Sequence, residues 1–216
     1  MNTANDSLRS VDAEAAIPRS CGAIALIDVM KQWGIEAGLR ATWQRVALDD
    51  PFGTQSAKSY RLAAYAIDHG LQAIVLKCRK NRAWDALSRC ARLGISVIIN
   101  HQARAARDEE HFSVLLAISN ETIITDDPVS RMQEVWSRED FLSHWTYNAE
   151  ITGQILVAIR GSAKKAVNAV SNRCPSCSAP LSFEPCELFD PKDWESGGLW
   201  RYFYCQGCDA SFSPRH

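Results

Sequence analysis

The sequence has 216 residues, with 24 Lys and Arg against 25 Asp and Glu, and its last 56 residues carry six of each sign. That length accommodates one medium domain and a small module, and the even charge balance argues against binding to a nucleic-acid backbone. Apolar runs are shorter than the roughly 18–20 residues of a membrane span, and the N-terminus lacks a secretory signal, so we expect a cytoplasmic protein.

Helices are predicted mainly in the first half of the chain, and strands mainly in the second. The first helix begins near Cys21, ends before Gly34 and is apolar on nearly all sides, as buried helices are. Further helices are predicted over Ala37–Val46, Ala57–Asp68, Ala83–Leu93 and Arg138–Trp145. Strands are predicted over Leu71–Leu76, Ile95–Ile99, Phe112–Ile118, Thr122–Thr125, Val135–Trp136 and Gln154–Ile159. Helices followed by an antiparallel sheet, with one hairpin at residues 112–125, indicate an α+β domain.

Composition divides the chain into four segments. Residues 1–16 are small, polar and charged, and we expect a flexible N-terminal tail. Residues 17–160 hold the predicted α+β domain. A small and polar stretch over residues 161–172 is typical of a linker, and residues 173–216 form a cysteine-rich module.

A cysteine, a histidine and an aspartate follow one another in an order that suits nucleophilic catalysis. Cys21 lies where a loop becomes a helix, and the free N–H groups there favour its thiolate, which is the nucleophile. His111 opens one strand of the hairpin and Asp127 closes the next, so the hairpin brings their side chains together. The chemistry needs a nucleophile, a general base and a residue that orients the base. Asp126 is the adjacent alternative, but strand alternation lets only one of the two carboxylates face His111.

These motifs resemble those of the bacteriocin-processing, double-glycine leader peptidases, which have a papain-like fold. The resemblance covers roughly residues 17–160 and is carried by Ser20–Leu26, Gly53-Thr54, His69–Ala73, Ile95–Asn100, His111–Leu115, Ile124–Pro128 and Ser137–Trp145. It implies a papain-like α+β domain in which Cys21 is the nucleophile, His111 the base and Asp127 the orienting residue, because the family has Asp-Pro there. It also implies a cysteine peptidase that cleaves a peptide, such as a double-glycine leader, with a transporter expected on a separate chain.

One position departs from the pattern of that family. A glutamine about six residues before the cysteine supplies an oxyanion donor in the family, but residues 12–18 contain none and position 15 is alanine. Losing one such donor costs about 10²–10³ in rate. The N–H of Cys21 remains as a donor, and Asn5 and Ser20 are candidates for a second. Two alternatives therefore stay open: a papain-like domain with weak or no catalysis that binds a peptide or protein partner, or an amide transferase.

The last module contains two Cys-x-x-Cys pairs separated by 27 residues. In a cytoplasmic chain such pairs are typical of metal ligands rather than of disulfides. The predicted ligands are Cys174, Cys177, Cys205 and Cys208. With the aromatic strand before the second pair, they resemble a zinc ribbon, in which four thiolates close a structural site without an open position. We expect one structural zinc per chain and a docking or purely structural role for the ribbon, rather than binding to nucleic acid.

Overall fold

The computed structural model describes residues 17–49, 53–104, 110–145, 153–161, 173–179, 192 and 198–213. Its helices are α1 (Cys21–Gln32), α2 (Leu39–Val46), α3 (Ser59–Asp68), α4 (Ala83–Arg92) and α5 (Arg138–Trp145). Its strands are β1 (Ala47–Asp49), β2 (Gln55–Ala57), β3 (Leu71–Cys78), β4 (Ser96–Gln102), β5 (Glu110–Ile118), β6 (Thr122–Asp127), β7 (Met132–Ser137), β8 (Ile155–Gly161), β9 (Trp200–Tyr204) and β10 (Ser211–Phe212). Within these described ranges, every helix is too short or too polar to cross a bilayer.

Eight of the strands form one antiparallel sheet in the order β10-β9-β3-β8-β4-β5-β6-β7. β1 and β2 pair separately as a short antiparallel ribbon. The hairpin that the sequence predicts is β5–β6, with an irregularity in register between Leu115 and Ala117. The predicted α+β class is therefore confirmed.

The sheet separates two apolar cores. Helices α1, α2 and α3 pack on one face, against side chains such as Val75, Ile98 and Val157. Helices α4 and α5 pack on the other face, against alternate side chains of the same strands. Burial on both faces explains why residues 97–99 of β4 are consecutive apolar residues rather than alternating with polar ones.

Helix α1 lies close to the sheet because its second residue has no side chain. A Cβ atom added to Gly22 would lie 2.7 Å from the Cβ of Ala57 and 3.0 Å from Cδ2 of Phe112. Both distances are too short for a side chain, so glycine lets the start of α1 approach β2 and β5. This close approach brings the first residue of the helix beside the strand that begins at Glu110.

The predicted helices and the strands of the central sheet lie within a few residues of their observed bounds. The β1–β2 ribbon is not in the sequence prediction, nor is the pairing of β9 with β3, which joins the cysteine-rich segment to the main sheet. The predicted tail at residues 1–16 lies outside the described residues, as does nearly all of the predicted linker at 161–172. The four-segment division of the chain stays a prediction.

Candidate functional site

Cys21 is the first residue of α1, and its side chain is buried. Its Sγ lies 3.9 Å from the carbonyl oxygen of Arg19, a residue whose φ is 59°. Ser20 precedes the helix as a buried N-cap whose side chain makes no capping hydrogen bond. The first N–H groups of a helix lack partners within it, and the first turn of α1 holds no acidic residue, so the local field favours negative charge.

His111 and Asp127 meet across the β5–β6 hairpin. His111 Nε2 lies 3.1 Å from Asp127 Oδ1, and both side chains are mostly buried. A carboxylate only accepts, so Nε2 is the nitrogen that donates. The Nδ1 atom is then available to Cys21, which lies close enough to His111 to raise the pKa of its imidazole.

Asp127 is held by the turn that follows it. Its Oδ1 accepts the backbone N–H of Val129 at 2.9 Å, and its Oδ2 accepts the hydroxyl of Ser130 at 2.8 Å. The backbone N–H of Arg131 closes the turn on the Asp127 carbonyl oxygen at 2.8 Å. The carboxylate therefore has a fixed orientation before it meets the imidazole.

The pKa values of the pair move in opposite directions. Burial lowers the pKa of His111, but its contacts with Cys21 and Asp127 outweigh burial, and the net pKa lies above the ordinary value of 6.5. Burial raises the pKa of Asp127, but the hydrogen bonds from Val129 and Ser130 and the charge of His111 bring it below the ordinary 3.8. Both shifts extend the pH range over which an imidazolium lies beside a carboxylate.

Asp126 belongs to a different cluster. Arg131 Nη1 lies 3.0 Å and 2.8 Å from the two carboxylate oxygens of Asp28, and it also faces Asp126. Burial and the charges of Asp28 and Asp127 raise the pKa of Asp126, while Arg131 opposes that shift. As strand alternation requires, Asp127 faces His111 and Asp126 does not.

A buried polar layer lies next to the His111–Asp127 pair, and the sequence analysis did not include it. His101 is the cross-strand partner of His111, and its Nε2 lies 2.9 Å from Ser113 Oγ. Trp136 Nε1 donates to Thr125 Oγ1 at 3.1 Å. The feature that could have indicated this layer is strand register. If β4 and β5 pair so that residue 101 lies opposite residue 111, both histidines lie on one face of the sheet.

The oxyanion donors are only partly described. Ala15, where the family has glutamine, and Asn5, one of the candidate donors, lie outside the described residues. Ser20 and the backbone N–H of Cys21 are the two remaining candidates at the start of α1.

The four cysteines of the two Cys-x-x-Cys pairs come together. The sulfur atoms of Cys174, Cys177, Cys205 and Cys208 all lie within 4.8 Å of one another. The Sγ atoms of Cys174 and Cys208 are 3.6 Å apart, and those of Cys177 and Cys205 are 3.8 Å apart. Four thiolates bound to one tetrahedral zinc ion at a Zn–S distance of about 2.3 Å would be about 3.8 Å apart, so the four cysteines fit a zinc ion.

The two pairs adopt the same turn. Backbone N–H groups of Ser176 and Gly207 each lie 3.3 Å from the first sulfur of their own pair. A Cβ atom on Gly207 would lie 2.9 Å from that of Ala179 and 3.3 Å from the sulfur of Cys177, so glycine lets the two turns approach. Such N–H groups stabilise thiolates, which is the form that binds metal.

The remaining cysteines differ from these four. None of the seven cysteines within the described ranges forms a disulfide bond. Cys78 and Cys90 are completely buried in the core beneath α4 and α5, and burial raises the pKa of Cys78 far above its ordinary value. Neither thiol is exposed for chemistry, and Cys186 lies outside the described residues.

Comparison with known proteins identifies one family. The model of the peptidase C39 family matches residues 15–152. Among solved structures, the chain resembles the peptidase domain of Streptococcus ComA, a bifunctional ABC transporter, with 16% identity, a TM-score of 0.49, and 67% of this chain and 93% of that one covered. It also resembles a double-glycine-motif protease from an AMS/PCAT transporter, solved with its leader peptide, with 16% identity, a TM-score of 0.46, and coverage of 66% and 84%. Among curated proteins no match was found.

Proposed function

Because the chain belongs to the peptidase C39 family and has its papain-like fold, we propose that it is a cysteine peptidase in which Cys21 attacks the peptide. The observation that carries this proposal is that His111 bonds to Asp127 at 3.1 Å and lies near Cys21, which raises the pKa of the imidazole. A nucleophile, a base and a carboxylate that orients the base are the parts that acyl transfer through a thiol requires.

The reaction proceeds in two halves. The Cys21 thiol gives its proton to Nδ1 of His111, and the sulfur forms a bond to the carbonyl carbon of the scissile peptide. His111 then returns that proton to the leaving amine as the C–N bond breaks, which leaves a thioester on Cys21. Water loses a proton to His111 and attacks the thioester, and the sulfur leaves with that proton to restore the resting thiol.

Asp127 acts through His111. It fixes the tautomer by accepting from Nε2, so that Nδ1 faces the sulfur, and it stabilises the imidazolium that forms during the reaction. The backbone N–H of Cys21 is one donor for the oxyanion of the tetrahedral intermediate, and the Ser20 hydroxyl is the candidate for the second.

The proposed substrate is a peptide cleaved after small residues, as in a double-glycine leader. Family membership supports a leader peptide, and the absence of a glutamine near position 15 gives the reason to test catalysis directly. We also propose that the protein acts in the cytoplasm and that it works together with a transporter.

We propose one structural zinc ion on the four cysteines. When bound, zinc would cross-link the two turns, and the closed set of four thiolates leaves no position for substrate. Each turn contributes two sulfurs, and the backbone N–H groups of Ser176 and Gly207 support the charge on them. The zinc would thus hold the segment that carries β9 and β10.

The proposal is tested with synthetic leader peptides and mass spectrometry. Peptides that end their leader in Gly-Gly, Gly-Ala or a bulky Leu-Leu are incubated with the wild-type protein and with Cys21→Ala. We expect the wild-type protein alone to cleave the first two after the small pair. An uncleaved Gly-Gly peptide at micromolar enzyme would contradict the proposal. A product formed equally by Cys21→Ala would also contradict it, because that result would point to a contaminating peptidase.

A catalytically weak module that binds a peptide or partner protein is the second candidate. The alanine at position 15 favours it, since the family's oxyanion glutamine is missing there. This candidate predicts that wild-type protein and Cys21→Ala bind the Gly-Gly peptide with equal affinity and that neither cleaves it. An added amine acceptor in the same assay detects the third possibility, amide transfer.

A further inference from the structure

His101 is a buried titratable group that the proposed mechanism does not use. It lies on β4 directly opposite His111 on β5, so the two side chains share one face of the sheet. Their ring centroids are 5.7 Å apart and the ring planes are nearly perpendicular, at 84°. His101 thus borders the imidazole of His111, whose Nε2 bonds to Asp127.

Both nitrogens of His101 have a partner. Nδ1 lies 2.7 Å from the carbonyl oxygen of Gln102, and Nε2 lies 2.9 Å from the hydroxyl of the fully buried Ser113. A carbonyl oxygen only accepts, so Nδ1 carries the proton and Nε2 accepts from Ser113. Two hydrogen bonds at opposite ends of the ring leave it one orientation.

His101 is neutral at the pH where His111 works. The pKa of His101 is lowered to about 4, mainly by burial and also by the charges of His111 and His144, while the Gln102 carbonyl and Asp127 oppose the shift. A neutral neighbour does not compete for the Cys21 proton and does not repel the imidazolium of His111. A protonated His101, with its ring 5.7 Å away, would repel that imidazolium.

Aromatic rings enclose His101 on its other sides. The ring of Trp136 lies 5.7 Å away at 85°, and that of Phe141 lies 5.8 Å away. Trp136 in turn bonds to Thr125, which is two residues before Asp127 on β6. The orientation of His101 is therefore tied to β6, β7 and α5, and not only to its own strand.

We propose that His101 is a positioning residue that holds the His111 imidazole in the plane in which Nε2 meets Asp127 and Nδ1 meets Cys21. Ser113 shares this role, because its hydroxyl fixes the His101 ring. The proposal rests on the proposed function, in that Cys21 and His111 act as a pair. A residue that only filled the core would affect stability and leave the reactivity of Cys21 unchanged.

The test uses Ser113→Ala, which leaves the His101 ring in place and removes the hydroxyl that orients it. Its matched control is Thr42→Val, which removes another fully buried hydroxyl, bonded to Tyr65 at 3.4 Å between α2 and α3. The measured quantities are the alkylation rate of Cys21 by iodoacetamide from pH 5 to 9, followed by peptide mapping, and the melting temperature.

We expect Ser113→Ala to slow alkylation of Cys21 at neutral pH by roughly three- to tenfold, the range that one oriented aromatic contact supports. The alkaline limb that reports His111 should move to lower pH, because looser contacts with Cys21 and Asp127 let burial lower its pKa. Ser113→Thr, which keeps the hydroxyl, should restore the wild-type profile. Thr42→Val should lose comparable stability with an unchanged profile.

Unchanged alkylation in Ser113→Ala, or an equal loss in Thr42→Val, would overturn the proposal. His101→Phe is a second variant, which keeps the ring and removes both hydrogen bonds, and it should slow alkylation at least as much. If His101→Phe does not fold, Ser113→Ala decides alone. Alkylation needs no peptide cleavage, so a failure of the proposed peptidase activity is seen separately. If cleavage does occur, kcat should fall in Ser113→Ala while KM stays constant.

Discussion

The candidate site at Cys21, His111 and Asp127 and the four-cysteine cluster are built in different ways. Cys21, His111 and Asp127 come from α1, β5 and β6, which two apolar cores hold in place. The four cysteines come from two short turns, and two of the four side chains are exposed. Where apolar burial fixes the positions, a reactive side chain can be changed without unfolding the domain. With the proposed zinc ion bound, the four sulfurs would fix the positions of the turns, and each sulfur would be part of the fold.

The two regions are nevertheless joined by one strand. β9 leads into Cys205 and pairs with β3, whose other edge pairs with β8 of the main sheet. Tyr204 on β9 packs against the core beneath α1. We therefore expect substitutions at the candidate site to affect the reaction and substitutions at the cluster to affect folding, although β3 links the two regions.

The largest expected effect is on chemistry alone. Cys21→Ser removes the thiolate while nearly keeping its volume, and we expect peptide cleavage to fall by about 10⁴-fold or more, as when a nucleophile of a catalytic triad is removed. The melting temperature should stay within about 2 °C of wild type, because one atom changes in an otherwise intact core. Peptide assays measure the rate of cleavage, and thermal denaturation measures the melting temperature. A large loss of stability would show that Cys21 belongs to the fold as the cluster does.

Cys205→Ser should give the opposite pattern. Four thiolates contribute a zinc-binding free energy on the order of 10–16 kcal/mol, and the loss of one ligand opens the site. We expect zinc, measured by mass spectrometry, to fall from one ion to well under one per chain, and hydrogen exchange to increase in β9 and in the residues of β3 that pair with it. Cys90→Ser is the control, since Cys90 is buried away from the cluster. Zinc retained at one per chain would contradict the assignment.

Asp127→Ala tests the orienting carboxylate. We expect kcat to fall by roughly 10²–10⁴-fold, while Asp127→Asn, whose amide oxygen still accepts from Nε2, should lose less. The pair also predicts a pH dependence of stability. The raised pKa of His111 contributes stability that is complete below 6.5 and is lost as pH rises through its folded value. The lowered pKa of Asp127 contributes stability above 3.8 that is lost as pH falls through its folded value.

The difference in melting temperature between wild type and Asp127→Ala should therefore be greatest between pH 3.8 and 6.5 and smaller on either side. Thermal scans from pH 3 to 9 measure it. A difference that is constant with pH would show that the carboxylate and the imidazole are not coupled.

The smallest expected effect concerns Arg131 and Asp28. Asp28 lies two helical turns after Cys21 on α1, and Arg131 closes the turn that begins at Asp127, so their ion pair joins the elements that carry two site residues. Arg131 is largely exposed, which limits such a pair to about 1 kcal/mol or less. Arg131→Ala should reduce kcat about two- to fivefold.

The charge-exchanged double variant, Asp28→Arg with Arg131→Asp, tests whether the pair itself matters. Recovery will be incomplete, because Asp126 also faces Arg131. A kcat of the double variant above that of Arg131→Ala would support a role for the ion pair. A kcat below those of Asp28→Arg alone and of Arg131→Asp alone would contradict it.

Local patterns predicted most of the fold. The apolar run after Cys21, the glycines that end helices at 34, 70 and 94, and the hairpin at 112–125 each depend on neighbouring residues, and the observed elements match them. The pairing of β9 with β3 is a contact between distant segments, and the sequence of neither strand indicates which strand it will pair with. The short β1–β2 ribbon has too few residues for a periodic signal.

The candidate site also contains residues that could be predicted from the sequence and residues that could not. The order of cysteine, histidine and aspartate was visible because each residue opens or closes an element. His101 was not visible, because no spacing in the sequence pairs it with another site residue; its place beside His111 depends on the register of β4 and β5. Ser113 and Thr125, which bond to His101 and Trp136, cannot be told from other strand residues in the sequence. Their role follows only from the packing of Trp136 and Phe141 around His101.

The activation of Cys21 by His111 is the central claim, and the most direct test compares one thiol in two proteins. The alkylation rate of Cys21 at pH 7 is measured by peptide mapping in wild type and in His111→Ala, so that the same thiol is compared with and without the imidazole. We expect wild-type Cys21 to react at least tenfold faster than Cys21 in the variant, because the imidazole takes up the proton of the thiol. Equal rates in the two proteins would contradict it.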